Sequence, residues 1–489
     1  MNIIGEDKEA YFVKCRFEHN HLLEGLDKRW NKRTRSWRVY KSRLNIALLV
    51  DLGLLPKDQL SSPPMVPAPL DLIFHTEPRL YQEGAVRFLL SLPYGALIAP
   101  MGSGKTKIMI DVINNLIGIR DINKALIIGL VSIKKNWEDE IKMHAPETLP
   151  FCRIEGIESL SSSKKLNKEL QKYVDDRTLV VIDEAHTIKN PNAKRTKNAY
   201  KIAKPARRRY VMTGTPVLNG KEDLFSIYGF LNPDIIGIST FIGFKNRYCI
   251  RGGFENRQIV GYKNEDELME NISKYTFFIS KKDAMPHLPP QTDVKRECKM
   301  TPKQRELINV VLNDGELNPL TKLLRILQIS GGYDPVSRET FTAPKIKLLD
   351  EIVETGETLV IYANFISEIR TISERYNAPF IDGGISPKDR HEIVQDFQNG
   401  AFPVIVAHPA VGSTGINLHC ASTMVFYSYS HNLGHYQQAK GRIARMQQIN
   451  PMVYYHLITK GTLDARVLWC LQHKKSILKN VEEILSQLD

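Results

Sequence analysis

Short apolar runs alternate with helical periods along most of this chain. A first series lies at 95–99, 125–131, 178–182 and 209–213, and a second at 358–362, 403–406, 424–427 and 453–458. Within each run the apolar residues are consecutive, which is typical of strands buried on both faces of a parallel sheet. The pattern therefore predicts an α/β fold with two tandem, doubly wound parallel-sheet lobes.

The first 55 residues have a different pattern. Strand-like runs at 11–17 and 36–40 alternate with helical periods at 19–26 and 44–52, which predicts a small α+β module. A proline-rich stretch that follows indicates a stiff, extended linker. A Gly252-Gly253 turn between two β-prone runs predicts a hairpin, more typical of a packed surface hairpin than of a protruding one. The predicted domains are a module at 1–55, a linker at 56–72, a first lobe with a helical extension at 73–290, a connecting helical segment at 291–342 and a second lobe at 343–489.

Composition narrows the class of protein. The 489 residues contain 67 Lys and Arg against 54 Asp and Glu, a net charge of +13, which favours an acidic polymer such as nucleic acid as partner without deciding it. The six cysteines include no C-x-x-C pair, so neither a zinc site nor a disulfide framework is indicated and a reducing compartment is expected. No apolar stretch reaches the roughly 18 residues of a membrane span, and acidic residues occupy the start of the chain, so neither a membrane nor an export role is expected.

The run at 95–99 leads into a glycine-rich turn, Pro100-Met101-Gly102-Ser103-Gly104, followed by Lys105, Thr106 and a helical period. Backbone N–H groups of such a turn can converge on phosphate oxygens, while a lysine matches the β/γ charge and a hydroxyl holds Mg²⁺. The stretch predicts a nucleotide site for ATP and Mg²⁺. The full pattern has a glycine where Ala99 stands, so the match is incomplete at one position.

Carboxylates follow the run at 178–182, in Asp183-Glu184-Ala185-His186. Ligands of parallel sheets bind beyond the carboxyl ends of the strands. Asp183 can therefore hold the Mg²⁺ of a nucleotide while Glu184 orients and deprotonates the attacking water. A second strand end carries Thr213 and Thr215, whose hydroxyls can contact Asp183 or DNA, although Thr-Gly-Thr-Pro is also simply a turn.

The second series contains no phosphate loop, but it contains Gln438-Ala439-Lys440-Gly441-Arg442-Ile443-Ala444-Arg445. Arg442 and Arg445 are three residues apart, which predicts one face of a helix. Two guanidinium groups so spaced can meet the γ-phosphate of a nucleotide and stabilise charge in the transition state. Taken alone, this octapeptide is more typical of surface arginines on a helix.

One stretch of the N-terminal module contains basic and aromatic side chains and no acidic residue. They are Lys28, Arg29, Trp30, Lys32, Arg33, Arg35, Trp37, Arg38, Tyr40, Lys41 and Arg43. Cations beside flat rings suit phosphate contact and base stacking. The tryptophans can equally fill a small core that the charges solvate, and both interpretations can hold at once. The candidate DNA contacts are Trp30, Arg33, Arg35, Trp37 and Arg38.

Taken together, these stretches resemble the Swi/Snf-like ATPases of helicase superfamily 2, from about Pro78 to the C-terminus. The resemblance lies in an ordered set of motifs: Arg79-Leu80-Tyr81-Gln82-Glu83-Gly84, the phosphate loop, 130–137, Asp183-Glu184-Ala185-His186 (DEAH wording) with 188–190, 213–216 with Asn219, 300–305, 324–329, 382–390, 412–418 and 438–445. The N-terminal module is similar, less specifically, to the DNA-binding module of HepA-related (HARP-like) annealing helicases, through Arg29-Trp30 and Ser36-Trp37-Arg38-Val39.

The resemblance implies that the two doubly wound lobes are RecA-like, and it implies a role for each matching residue. Nucleotide binding is implied for Arg79, Gln82 (which would read the base), Gly102, Ser103, Gly104, Lys105, Thr106 and Gly415; hydrolysis for Lys105, Asp183, Glu184, Gln438, Arg442 and Arg445; Mg²⁺ binding for Thr106 and Asp183; and DNA contact for Ser132, Thr213, Thr215 and Thr414. The chain departs from the family at Phe278-Ile279, where an arginine pair is usual, so the function of that pair is absent or moved. Nothing resembles a bromodomain, chromodomain or nuclease, which disfavours chromatin remodelling.

The resulting hypothesis is a monomeric, ATP-dependent DNA translocase or helicase that acts on branched or forked DNA, by branch migration, fork remodelling or annealing, in replication, recombination or repair. The expected location is the cytoplasm of a bacterium or phage-infected cell, or the nucleus of a eukaryote. One alternative is an ATP-switched DNA-binding or annealing clamp without motor activity, which Glu184 and the two arginines disfavour. Another is an RNA helicase, which shares the core chemistry.

Overall fold

A computed structural model of the chain describes residues 1–7, 10–15, 28–41, 49–50, 52, 54–55, 71–214, 220–253, 258–410, 416–430, 432–445, 447–473, 477 and 481–485. The chain divides into two compact units, Met1–Pro100 with Gly104–Ala284, and Met285–Asp489 with Met101–Ser103. Among the described residues, each unit contains a six-stranded sheet, and the first also contains a four-stranded sheet and a two-stranded hairpin.

The N-terminal residues form an antiparallel sheet of order β1-β2-β4-β3, with β1 at Asn2–Glu6, β2 at Ala10–Lys14, β3 at Lys28–Asn31 and β4 at Ser36–Tyr40. Its small core contains Tyr11, Val13, Val39 and Leu49. The two predicted strands are confirmed as β2 and β4, while β1 and β3 were not predicted. The predicted helix at 19–26 lies outside the described residues. Of the one at 44–52, residues 49, 50 and 52 are described, and 49 and 50 are helical.

The parallel sheet of the first unit has the order β12-β5-β9-β8-β6-β7. The strands of this part of the chain are β5 (Tyr94–Ile98), β6 (Lys124–Gly129), β7 (Cys152–Gly156), β8 (Thr178–Asp183), β9 (Arg208–Thr213), the predicted hairpin strands β10 (Cys249–Gly252) and β11 (Gln258–Tyr262), and β12 (Thr276–Phe278). The four predicted runs are confirmed as β5, β6, β8 and β9.

The helices of the first unit are α1 (Leu80–Leu90), α2 (Lys105–Gly118), α3 (Lys134–His144), α4 (Ser159–Ser162), α5 (Lys164–Tyr173), α6 (Lys194–Ala203), α7 (Asp223–Leu231), α8 (Phe241–Tyr248), α9 (Glu265–Ser273) and α10 (Lys281–Ala284). Short 3₁₀ turns lie at Val131–Ile133, Pro146–Phe151, Ala185–Ile188 and Pro233–Ile235. All six residues of β8 are buried, which explains its unbroken apolar sequence.

The parallel sheet of the second unit has the order β13-β18-β17-β14-β16-β15. Its strands are β13 (Gln291–Lys299), β14 (Leu359–Tyr362), β15 (Phe380–Ile381), β16 (Val404–Ala407), β17 (Thr423–Phe426) and β18 (Met452–Lys460). Its helices are α11 (Pro302–Asn313), α12 (Pro319–Gly331), α13 (Lys345–Val353), α14 (Ile366–Tyr376), α15 (Pro387–Gln398), α16 (Leu433–Lys440), α17 (Asp464–Gln472) and α18 (Val481–Leu485).

Alternate residues of β14 pack into two different hydrophobic clusters. Val360 and Tyr362 belong to one cluster, and Leu359 and Ile361 to the other. Because successive side chains of a strand point to opposite faces, the sheet is covered on both sides, as an unbroken apolar run predicts. The four predicted runs of this lobe are confirmed as β14, β16, β17 and β18.

Strand β13 corrects the predicted helical connection at 291–342. Residues 291–299 pair in parallel with β18 at one edge of the second sheet, and α11 and α12 follow them. The exposure of β13 alternates along its second half, because one face packs on the unit while the other meets solvent. This stretch is rich in charged residues, so it lacks the continuous apolar sequence that identified the central strands.

In the part of the chain that the structure describes, no helix is both long enough and apolar enough to cross a bilayer.

Candidate nucleotide site

The glycine-rich turn joins β5 to α2, as predicted. Gly102 and Gly104 both have φ of +77°, a left-handed conformation that favours glycine, and α2 begins at Lys105 directly after Gly104. Lys105 Nζ donates to the carbonyl oxygens of Ala99 and Pro100, at 2.9 and 3.1 Å. The turn thus leaves backbone N–H groups at the start of a 14-residue helix, where the helix dipole favours an anion.

Ala99, which replaces the first glycine of the pattern, extends the sheet. Its N–H donates to the carbonyl of Thr213 at 3.2 Å, and it is not among the described residues with positive φ. A side chain at this position therefore causes no backbone strain, which explains why the departure is compatible with the turn.

Gln82 packs directly against the turn. A Cβ built on Gly104 would lie 2.6 Å from Gln82 Nε2, so the Gln82 amide would have to move to make room for a side chain. Gln82 is buried on α1, and its Oε1 accepts the N–H of Arg79 at 2.9 Å. The residue expected to read the base therefore lies beside the residues expected to bind phosphate, while the positive φ of Gly104 is what favours glycine there.

Asp183 ends β8, and each of its oxygens accepts a hydrogen bond. Oδ1 accepts the N–H of Glu184 at 2.8 Å, and Oδ2 accepts the indole N–H of Trp137 at 3.0 Å. Glu184 has φ of 53° and starts the 3₁₀ turn, and its Oε2 lies 3.3 Å from His186 Nδ1. The strained backbone of Glu184 turns the chain sharply at the strand end, which places both carboxylates there.

Trp137 contacts this site, although the sequence analysis gave it no role of its own. It ends the stretch 130–137, one of the motifs of the resemblance, and it is buried on α3 with its indole N–H donating to Asp183. An isolated tryptophan in a polar helix, four residues before Ile141, was the available signal of a buried face.

The electrostatics around Asp183 suit a cation. Burial, followed by the charge of Glu184, raises the pKa of Asp183 to about 6, against the charge of Lys105. Two neighbouring carboxylates near one lysine leave a negative surplus, and a carboxylate with a hydroxyl such as that of Thr106 supplies the hard oxygen ligands that Mg²⁺ prefers. The residues present therefore fit Mg²⁺ carried by a nucleotide.

The remaining predicted residues of the first unit are dispersed. Ser132 lies in the 3₁₀ turn at Val131–Ile133, and Thr213 is buried at the end of β9. Phe278 is 68% exposed at the end of β12 and Ile279 is buried, so this departure from the family pattern presents one ring to solvent. Thr215, Thr414 and Gly415 lie outside the described residues, and the structure does not test their assignments.

The second unit holds its candidate arginines after a helix, which corrects the predicted helical face. Helix α16 ends at Lys440, and Arg442 and Arg445 follow it in turns. Arg442 Nη1 and Arg445 Nη2 both donate to the carbonyl of Ile416, at 3.3 and 3.5 Å. Their charges act on Tyr362, the last residue of β14, whose pKa burial raises to about 12 against those charges. The two arginines thus share one support, although no helix aligns them.

Gln438 is buried in α16, and its Oε1 accepts no hydrogen bond from any described residue.

The end of helix α16 contacts Asp293 of β13, a residue that the sequence analysis did not single out. Lys440 Nζ lies 2.6 and 2.8 Å from the two oxygens of Asp293, and His456 Nε2 lies 2.7 Å from Oδ1. Burial opposes ionisation, but the bonds with His456 and Lys440 lower the pKa of Asp293 to about 2.

The two tryptophans of the N-terminal sheet face each other. Trp30 and Trp37 are register partners on β3 and β4, with ring centroids 5.1 Å apart and Lys28 Nζ 4.8 Å from the Trp37 ring. Trp37 packs partly on the small core, whereas Trp30 is 44% exposed. Arg33 and Arg35 are exposed in the turn between these strands, and Arg38 pairs with Asp7 at 3.2 Å. Trp37 thus contributes in part to the core, Trp30, Arg33 and Arg35 are exposed, and contact of this stretch with DNA stays a prediction.

Three segments of the sequence match known protein families. Residues 152–330 match the SNF2-related domain, and residues 344–447 match the helicase conserved C-terminal domain. The segment that matches the SNF2-related domain contains Asp183 and Glu184, and the segment that matches the helicase C-terminal domain contains Gln438, Arg442 and Arg445. Residues 75–218, which include the phosphate loop, also match the res subunit of type III restriction enzymes.

Several curated proteins are similar in sequence to this chain. An uncharacterised ATP-dependent helicase of Mycoplasma pneumoniae is 24% identical, over 91% of this chain and 46% of that protein. The DNA repair and recombination protein RDH54 of Saccharomyces cerevisiae is 26% identical, over 72% of this chain and 42% of that protein. The putative ATP-dependent helicase/translocase YwqA of Bacillus subtilis is 23% identical, over 82% of this chain and 48% of that protein. The chain thus spans less than half the length of each of these relatives.

One similar solved structure is the SWI2/SNF2 ATPase core of Sulfolobus solfataricus in complex with double-stranded DNA. The aligned region covers 84% of this chain and 95% of that chain, with 25% sequence identity and a TM-score of 0.41. The matches to the SNF2-related domain and to the helicase C-terminal domain support the resemblance inferred from the motifs. The HepA-like character of the N-terminal module stays a prediction.

Proposed function

We propose that this protein is an ATP-hydrolysing DNA translocase or helicase that acts on branched or forked duplexes. The observation that carries the proposal is the arrangement of Lys105 at the start of α2 with Asp183 and Glu184 at the end of β8, close enough for Lys105 to oppose the raised pKa of Asp183. A phosphate loop facing adjacent carboxylates is suited to hydrolysis as well as binding. Because the same chain matches the SNF2-related domain and the helicase C-terminal domain, this arrangement supports a motor over a switch.

The residues receive distinct roles in this proposal. Lys105 and the N–H groups after Gly102 bind the phosphates, Asp183 and Thr106 hold Mg²⁺, and Glu184 activates water. Mg²⁺, when bound, neutralises charge on the phosphates and polarises the bond that breaks. Arg442 and Arg445 stabilise charge on the transferred phosphoryl group, with Gln438 beside them.

DNA as the partner is supported by three separate facts. The chain carries a net charge of +13, the N-terminal sheet exposes Trp30, Arg33 and Arg35 together, and a relative that is 26% identical over 72% of this chain is a DNA repair and recombination protein. An exposed ring among cations is suited to unpaired bases and phosphates at a fork. We therefore assign branched-DNA recognition to this surface.

ATPase assays test the proposal. We expect turnover to rise with forked DNA or a four-way junction more than with blunt duplex, single strands or RNA. Lys105→Ala and Glu184→Gln should each lower the DNA-stimulated rate by about a hundredfold or more while DNA binding persists. The exposed residues Lys388 and Glu270 provide controls, as Lys388→Ala and Glu270→Gln. ATP binding without turnover in the unchanged protein would favour the clamp, and preferential stimulation by RNA would favour the RNA helicase.

The DNA assignment has its own test. Trp30→Ala should weaken fork binding about fivefold to a hundredfold, since stacking contributes about 1–3 kcal/mol per base. Arg33→Ala with Arg35→Ala should lower the slope of log affinity against log salt. A folded Trp30→Ala variant with unchanged fork affinity would assign this surface a structural role only.

A further inference from the structure

Helices α5 and α6 of the first unit present lysines to solvent along their outer faces. On α6 and the residue that follows it, the exposed lysines are three or four positions apart, which places them in one stripe along the helix. The exposed lysines of α5 form a second row. Together these side chains form the lysine face, which consists of Lys164, Lys165, Lys168, Lys172, Lys194, Lys197, Lys201 and Lys204.

The two helices are held side by side on the first unit. The side-chain amides of Asn167 on α5 and Asn198 on α6 both donate to the carbonyl of Leu160, at 3.0 and 2.7 Å. Leu170 and Ile202, from the inner faces of the same helices, are buried in one hydrophobic cluster. Because the core holds both inner faces, the two rows of lysines lie next to each other on the surface.

The charge of the lysine face is unbalanced. Residues 164–173 and 194–204 contain nine basic side chains and one acidic side chain, Glu169, which lies 2.8 Å from Arg153 of β7. No ion pair joins a lysine of this face to any other residue that the structure describes. Uncompensated charge of one sign on a single surface attracts anionic ligands and raises their local concentration.

The chemistry of the lysine face selects among anionic partners. In the described parts of the chain, α5 and α6 expose no large apolar side chain, so the face lacks the anchors of a protein interface or a membrane surface. The rings of the two helices, Tyr173 and Tyr200, are partly buried, and the hydroxyl of Tyr200 donates to the carbonyl of Ser226 at 2.6 Å. No ring is therefore presented to unpaired bases, whereas ammonium groups are suited to the phosphates of a duplex.

The dimensions of the lysine face fit a short length of duplex DNA. Each helix has 10 residues, which corresponds to a length of about 15 Å. Duplex DNA of that length carries about nine phosphates. Packed helices lie about 8–10 Å apart, so two rows of flexible lysines can meet phosphates on both sides of a major groove about 12 Å wide.

The lysine face runs away from the candidate nucleotide site. Helix α6 follows β8, which ends at Asp183, and precedes β9, which pairs with β8 in parallel. The helix must therefore return from the carboxyl ends of the strands to their amino ends. Lys194 begins the stripe at the sheet edge that carries Asp183, and Lys204 ends it at the opposite edge.

We propose that the lysine face binds the phosphates of a duplex arm of branched DNA along the side of the first unit. This assignment rests on the proposed function, because a branched substrate has a further arm to place there. The N-terminal sheet, with its exposed Trp30, is assigned to unpaired bases, and the lysine face is assigned to paired ones. The two surfaces thus recognise different parts of a fork.

Fluorescence anisotropy of the full chain with a labelled blunt DNA duplex, without ATP and over a series of salt concentrations, tests the proposal. Glutamine substitutions remove the charges of the α6 row and keep a good helix former. We expect the affinity to fall about tenfold or more, and the slope of log affinity against log salt to fall by about 2–4, since each phosphate contact contributes about 0.9. The combined substitutions are Lys194→Gln, Lys197→Gln, Lys201→Gln and Lys204→Gln.

A variant with the same net charge is the matched control. It replaces four exposed lysines that are spread over both units and should keep the duplex affinity close to that of the unchanged protein. Its substitutions are Lys263→Gln, Lys282→Gln, Lys347→Gln and Lys388→Gln. A second test variant, at the α5 row, should lose affinity as the α6-row variant does, and combines Lys165→Gln, Lys168→Gln and Lys172→Gln.

Equal duplex affinity and salt slope in the α6-row variant and the control variant would overturn the proposal. A loss confined to poly-L-glutamate would overturn it in favour of an acidic protein partner, and a loss confined to phosphatidylserine vesicles in favour of a membrane. If the α6-row variant does not fold, the α5-row variant decides the question. Because binding is measured without ATP, a failure of the proposed motor is seen separately, as absent ATP turnover in the unchanged protein.

Discussion

The two parallel sheets carry opposite charges at the carboxyl ends of their strands. In the first unit, β8 ends in Asp183 and Glu184, and the donors that meet Asp183 are the N–H groups of Trp137 and Glu184. In the second unit, the charges of two arginines act on Tyr362 at the end of β14, and their common acceptor is the carbonyl of Ile416. Six strands in parallel therefore supply the scaffold in both, and the loops alone decide which charge is displayed.

This contrast also separates two kinds of support. N–H donors around a carboxylate favour its ionised form, and a carbonyl accepts from guanidinium groups without altering their charge. At Asp183, burial and the charge of Glu184 outweigh these donors and raise the pKa to about 6, so the acidic end is sensitive to pH near neutrality. Arginine side chains keep their charge over the same range. Four experiments test this difference.

Removing an arginine should have the largest effect. Arg445→Ala and Arg442→Ala should each lower the DNA-stimulated ATPase rate on the order of a thousandfold, because an arginine on a transferred phosphoryl group contributes about that much. Steady-state turnover measures the loss, and Lys388→Ala, which removes an exposed cation of α15, is the control. Normal turnover in Arg445→Ala would exclude that residue from the mechanism.

Acidification should affect the acidic end alone. With the pKa of Asp183 raised to about 6, the affinity for Mg²⁺ with nucleotide should fall about tenfold for each pH unit below that value, because a protonated carboxyl loses its metal. Because this pKa is raised from 3.8, the carboxyl stabilises the metal-free fold below about pH 4, and that contribution is lost as the pH rises through about 6. Mg²⁺ titrations at pH 5.5 and pH 7.5 measure the effect, and a flat profile would contradict it.

Trp137→Phe removes one donor from Asp183 and keeps most of the packing. We expect the ATPase rate to fall about tenfold, since a hydrogen bond to a charged group is worth about 1.5–3 kcal/mol and solvent or Lys105 can replace part of it. A metal requirement shifted to higher Mg²⁺ concentration would identify the cause. Trp469→Phe, at a tryptophan of the second unit that is 38% exposed, should leave both quantities unchanged.

Asp293→Asn should give the smallest effect and a different kind of effect. The lowered pKa of Asp293 corresponds to stability that is present above about pH 4 and lost as the pH falls toward 2. Because its side chain is 37% exposed, solvent screening reduces the cost of Asp293→Asn to about 1–2 kcal/mol of unfolding free energy. Denaturant unfolding measures it, with Asp389→Asn, at an exposed position in α15, as control. A thousandfold loss of turnover would mean that Asp293 also positions the arginines.

The central strands were predictable because burial on both faces makes each of them a continuous apolar run. Leu359 to Tyr362 is such a run, and so is Leu179 to Ile182. The edge strands β12, β13 and β15 were not predictable. Strand β13 is largely charged, β12 has only three residues, and β15 has only two. A strand with one exposed face or few residues leaves little periodicity to recognise.

The candidate site divides in the same way. Lys105, Asp183 and Glu184 were predictable because a short local pattern fixes both their chemistry and their place after a strand. Trp137 and Asp293 act through partners distant in the sequence, 46 residues away for Trp137 and 147 or more for Asp293. The arginine turn was expected to be helical because its spacing fits a helix, but α16 stops at Lys440 and a shared carbonyl replaces the helical alignment.

The contact between Gly104 and Gln82 brings together the two ends of the candidate nucleotide site. The amide of Gln82 occupies the place that a side chain would take at Gly104, so the start of α1 lies directly against the phosphate loop. On the proposed assignments, the group that meets the base and the groups that meet the phosphates are therefore neighbours, and a bare triphosphate engages one of the two ends only.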